Sequence, residues 1–123
     1  MSQGSPGEKG NGAPVVDLAE FRHERRLGEL LAGLARAQDD NRAAVARLVH
    51  SKLLWTRRGA RAGRQLLSNW ERLVEETERL KRLTPLQAAD RTLADPLFAA
   101  VESLLVKSAR LASRSAEIVA QSR

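Results

Sequence analysis

The chain has 123 residues, 42% of them apolar, and carries a formal net charge of +6 from 21 Lys and Arg against 15 Asp and Glu. That length admits one domain with a modest core. The absence of Cys excludes disulfides, thiolate catalysis and Cys-containing zinc sites. Aromatic residues are confined to Phe21, Trp55, Trp70 and Phe98, so Leu, Val and Ala must build the interior, a composition suited to helix packing and not to a ring-lined ligand pocket.

Residues 1–14 hold Gly4, Gly7, Gly10, Gly12, Pro6 and Pro14 and read as a disordered arm, because so few apolar groups cannot offset the entropy of ordering. The expected folded domain is 15–123. Neither a signal peptide nor a run of roughly 18 apolar residues is visible, so a soluble cytoplasmic protein is expected. The excess of Arg over Lys, with abundant Ala and Leu, suggests a GC-rich bacterial genome.

Asp17 and Glu20 have capping-box spacing, and Val16 can staple onto Phe21, which predicts a helix starting at Leu18. A rhythm of three and four follows at Leu27, Leu30, Leu34, Ala37, Asn41, Ala44, Leu48, Ser51 and Trp55. Its phase passes unbroken through Gln38-Asp39-Asp40-Asn41. One helix over about 18–57 is therefore expected in preference to a hairpin at Asp39-Asp40, where Asp and Asn would otherwise stop one helix and cap another.

Gly59 and Gly63 are candidate terminators of that helix. A second helix, about 64–83, presents Leu66, Trp70, Leu73, Thr77 and Leu80 on one side, with Glu75 and Arg79 placed to pair. Thr84-Pro85 opens a short helix over 85–94, and Asp95-Pro96 opens the last, 96–121. The last helix is apolar at Leu97, Val101, Leu104 and Leu105, and its Ser108 and Ser115 permit close helix approach.

No segment alternates as a strand does, so the expected fold is all-α: an elongated antiparallel helical bundle, or coiled-coil-like helices, with a disordered N-terminal arm. Leu27, Leu30, Leu34, Asn41, Leu48, Trp55, Leu66, Trp70, Leu73 and Leu104 are the expected helix-packing or oligomer positions. The stripe from Leu27 to Trp55 is longer than one compact core covers, which predicts self-association with Asn41 as a polar register-setter in the seam.

Residues that could carry chemistry are few. His23 and His50 lack suitable carboxylates on their faces and read as solvated. Glu71, Glu75, Glu76 and Glu78 alternate with Arg72, Arg79, Lys81 and Arg82, which reads as pairing along a solvated helix. The glycines at 59 and 63 lack the rest of a phosphate loop. No enzyme, cofactor, metal site or small-molecule substrate is expected.

Charge is the sharper signal. Between Asn41 and Trp70 there are seven Lys and Arg and no Asp or Glu; elsewhere the charges nearly cancel. On a continuous helix Arg47, Arg57, Arg61 and Arg64 share a face, with Arg58 beside them, spanning about 25 Å at 1.5 Å per residue. The expected function is a non-enzymatic interaction or scaffold module that self-associates or docks on a protein partner. Sequence-independent contact of the arginines with nucleic acid is the alternative. Peripheral attachment to an anionic membrane or granule surface comes third.

Overall fold

A computed structural model describes residues 13–84, 87 and 90–122, with side chains from Arg22 onward. Among the described residues three long helices make up the fold: α1 (Ala13–His50), α2 (Arg57–Lys81) and α3 (Arg91–Gln121), with a 3-10 turn at Leu53–Trp55 between the first two. Each helix packs on the other two, and no strand occurs among the described residues. Gln38 meets Thr77 and Arg58 meets Gln121, so α2 runs antiparallel to both neighbours. The protein is an all-α helical bundle, as its periodicity predicts.

The expected arm lies outside the described residues as far as Gly12, and Ala13 and Pro14 already belong to α1. The start at Ala13 replaces the expected Leu18, because Pro14 falls in the first turn, where no N–H is needed. Asp17 consequently stands within the helix. Side-chain contacts of Val16, Asp17, Glu20 and Phe21, the expected box and staple, lie outside the described side chains.

The helix continues through Asp39-Asp40, as the phase of the stripe requires. It ends at His50 and not near Arg57. Lys52 takes the left-handed conformation (φ 60°), and its N–H donates to the Val49 carbonyl at 3.0 Å. A non-glycine residue there costs roughly 1–2 kcal/mol. In return Leu53 and Leu54 fold back onto the core around Leu48 and Leu66.

Thr56 closes this turn and opens α2. Its hydroxyl donates to the Leu53 carbonyl (2.6 Å) and accepts from the Gly59 N–H (3.0 Å), the bond expected of an N-cap. A Cβ on Gly59 would overlap the Leu53 carbonyl group, and one on Gly63 would stand 2.8 Å from Leu54 Cδ2. Both glycines therefore lie inside α2, where they admit the returning turn, and neither terminates a helix. This moves the start of α2 from about residue 64 to Arg57, and its end to Lys81.

Thr84 and Gln87 exchange both bonds of a capping box, Gln87 N–H to Thr84 Oγ1 at 3.2 Å and Thr84 N–H to Gln87 Oε1 at 3.1 Å. Residues 85, 86, 88 and 89 of the expected 85–94 helix lie outside the described residues, and its last four, Arg91 to Ala94, belong to the final helix. Asp90 caps α3, accepting from the Thr92 hydroxyl at 2.7 Å and its N–H at 3.0 Å, and these bonds hold its carboxyl below the usual carboxylate range. The last helix thus begins at Arg91 instead of Pro96, which is inside it. Burial of Ala94 and Phe98 secures the turns on either side of that proline.

The interior has two apolar clusters. One gathers Leu30, Leu34, Leu73, Phe98, Val101 and Leu104, with Leu27 against it; the other gathers Ala44, Leu48, Ala62, Leu66, Ile118 and Val119. Between them lies a buried polar layer. Asn41 Nδ2 donates to the Leu66 carbonyl (3.0 Å), while Asn69 Nδ2 donates to Asn41 Oδ1 (3.3 Å) and Ser108 Oγ (2.8 Å). One turn beyond, the buried Ser115 hydroxyl donates to the Ala44 carbonyl at 3.3 Å.

A carbonyl only accepts, so Leu66 fixes the orientation of the Asn41 amide, and Asn41 in turn fixes Asn69. Asn69 Oδ1 is left buried without a hydrogen-bond partner among the described residues. Asn41 thus makes its buried hydrogen bonds within one chain, to α2. Glu76, expected in solvent, is also buried, with Arg79 Nη1 at 2.9 Å; Arg79 is thus paired three residues back and not with Glu75.

Two outcomes check this account by chemical denaturation. Gly28 has nothing within 4 Å of a built Cβ, so Gly28→Ala should stabilise by roughly 0.5–1 kcal/mol, whereas Gly59→Ala should destabilise by about 2 kcal/mol through its clash. In the polar layer, Asn41→Ala removes the bonds to the Leu66 carbonyl and from the buried Asn69 amide and should cost about 2 kcal/mol. The double variant Asn41→Leu/Asn69→Leu should unfold no more easily than wild type but show broadened amide resonances, because the register is no longer specified.

Candidate interaction surfaces

The bundle buries Leu30, Leu34, Leu48, Leu66, Leu73 and Leu104, but another apolar strip stays in water. On α2, Leu67 and Val74 are 60% and 38% exposed, with half-buried Trp70 between them, and this spacing places all three on one side of a helix. Leu67 and Trp70 line a cleft of about 370 Å³ with Asn41, Arg42, Val45 and Ala46 of α1. The Arg42 guanidinium lies over the Trp70 ring, 5.2 Å from its centroid, a geometry that favours the cation over the negative face of the indole.

The basic residues do not share one helix face. The break over residues 51–56 puts Arg47 on α1 and Arg57, Arg58, Arg61 and Arg64 on α2, all five exposed. Tertiary packing regroups two of them: Arg58 and Arg61 join Arg114 of α3 around a cleft of about 330 Å³ floored by Ala62, Gln65 and Ile118. The Arg58 Nη2 donates to Gln121 Oε1 at 3.0 Å. Arg114 escapes sequence reasoning because its nearness to Arg58 depends on how α3 docks, and no local pattern records that.

Trp55 is the largest departure from expectation. The stripe places it in the core, but α1 stops before reaching it, and the ring is 88% exposed at the end of the 3-10 turn. Exposed Val49 of the last α1 turn lies nearby in sequence.

His50 is exposed, whereas His23, expected in solvent, is half-buried and lines a shallow cleft with Arg22, Arg26, Arg91 and Asp95. Arg26 bridges to Glu102 of α3 at 3.1 Å and stacks over Phe98. These contacts tie α1 to α3 far from the basic segment. Among the described residues no group of three His, Asp or Glu could hold a metal ion.

The first turn of α2 contains no acid, so Arg57 and Arg58 stand at the positive end of its dipole. This arrangement opposes folding in the free protein. Arg57→Glu should therefore raise stability by roughly 0.5 kcal/mol, and the gain should shrink in high salt. Urea titrations at two salt concentrations measure both effects.

No protein-family model, no curated protein and no solved structure matches this chain.

Proposed function

We propose that the protein is a non-enzymatic helical interaction module, and that its docking surface is the cleft between α1 and α2. The observation that supports this reading is the second apolar strip of Leu67, Trp70 and Val74, of which Leu67 and Trp70 line the cleft with Val45. An amphipathic helix of a partner protein, or of a second copy, fits such a groove by packing as the fourth member of a bundle. Trp70 and Arg42 are residue types that anchor protein interfaces. The stripe from Leu27 to Leu48 is consumed within the chain, so self-association, where it occurs, uses this outer cleft.

Cross-linking at Val74 tests the proposal. A photoactivatable group placed there should give a discrete adduct in the native host, and Leu67→Asp should abolish it. Leu67 is 60% exposed, so the substitution should leave helicity and melting temperature unchanged. Sedimentation then tells an adduct with a second copy from one with another protein. A strictly monomeric protein giving no more adduct at Val74 than at exposed Glu24 overturns the reading.

A further inference from the structure

The polar layer of Asn41, Asn69 and Ser108 also divides the charge. Beyond it, in the half that carries the α1–α2 turn, the described residues include nine Lys and Arg and a single carboxylate, Glu117; the other half has ten Lys and Arg against thirteen Asp and Glu. Among the nine, Arg42 has a salt-bridge partner within the described residues, Asp39 at 4.0 Å, and the other eight have none. The positive charge therefore belongs to one end of the bundle, gathered there by all three helices.

Trp55 is 88% exposed in the turn that joins α1 to α2 at that end. The contact between Arg58 and Gln121 sets the last turn of α3 level with the start of α2, so the connecting turn, residues 51–56, lies at the same end of the bundle. The turn is fixed by the Thr56 bonds and by Leu53 and Leu54 packing on the core. It holds an indole in water, with exposed Lys52 and Arg57 three residues before it and two after it in the chain.

We infer that this end docks on an anionic lipid surface, with the Trp55 ring at the headgroup level and Arg47, Lys52, Arg57 and Arg58 at the lipid phosphates. An indole has an apolar body and a polar N–H, which suits it to a membrane–water interface. Cations beside it meet the negative surface potential. A single nucleic-acid strand is held best by a basic groove with rings set among the cations. The arginine cleft at Arg58, Arg61 and Arg114 has no ring, and Trp55 is not among the residues that line it. No helix among the described residues is long and apolar enough to cross a membrane, so attachment is peripheral. This surface is separate from the α1/α2 cleft, and either reading survives the loss of the other.

The test uses Trp70→Phe, which leaves Trp55 as the sole indole. Vesicles of equal parts phosphatidylglycerol and phosphatidylcholine should shift its emission to the blue and shield it from aqueous iodide, and phosphatidylcholine vesicles should do neither. Arg57→Gln/Arg58→Gln should lower partitioning about fivefold for each charge removed. Trp55→Ala, at a site already exposed, should keep the circular dichroism spectrum while weakening cosedimentation with the anionic vesicles. No response to anionic vesicles, or binding that leaves Trp55 open to iodide, overturns the inference. Saturable quenching of Trp55 by single-stranded DNA without a response to vesicles overturns it too, and assigns this end to nucleic acid.

Discussion

The hydrogen bond from Asn41 to the Leu66 carbonyl sets the relation of the three helices. Leu, Val and Ala side chains are similar in volume and indifferent to direction, so a core made of them tolerates sliding by a turn. A buried amide does not, because moving it leaves donors and acceptors without partners in a medium that offers no water. Asn41 ties α1 to α2, and Asn69 extends the tie to Ser108 of α3. The positions of the outer cleft and of the basic end both follow from that alignment.

Much of the fold was legible from periodicity. The phase of the apolar stripe carried α1 correctly through Asp39-Asp40, and Leu30, Leu34, Leu48, Leu66, Leu73 and Leu104 are buried as expected. The stop at His50 was not legible, because the left-handed residue that makes it is Lys52, and lysine gives no local sign of that conformation. Gly59 and Gly63 drew the boundary to the wrong place. Their role is steric, to let Leu53 and Leu54 approach α2, and it depends on a turn that had to be known first. Trp55 leaves the core for the same reason, since a stripe extrapolated past a helix end assigns faces that no longer exist. Pro96 misplaced the start of α3, where the Asp90 cap and burial of Ala94 prevail.

The charge shows the same limit. A run without acids is visible in the sequence, but whether it forms a face, a groove or an end depends on which helices meet there. Arg114 and Arg110 come from a segment far along the chain, and they join the basic end only because α3 returns antiparallel to α2. Glu76 is the converse: one glutamate among four, distinguished by the turn of α2 that points it inward.

The two halves of the interior are unequal. One contains Phe98 and several leucines; the other relies on Ala44 and Ala62 beside fewer large side chains. The thinner cluster lies under the end where cations crowd together, so weak packing and mutual repulsion coincide. Resistance to local opening should accordingly be graded along the long axis, with amides near the α1–α2 turn exchanging before those around Phe98. Whatever neutralises that end would also tighten it, coupling occupancy of the surface to the order of the helices beneath.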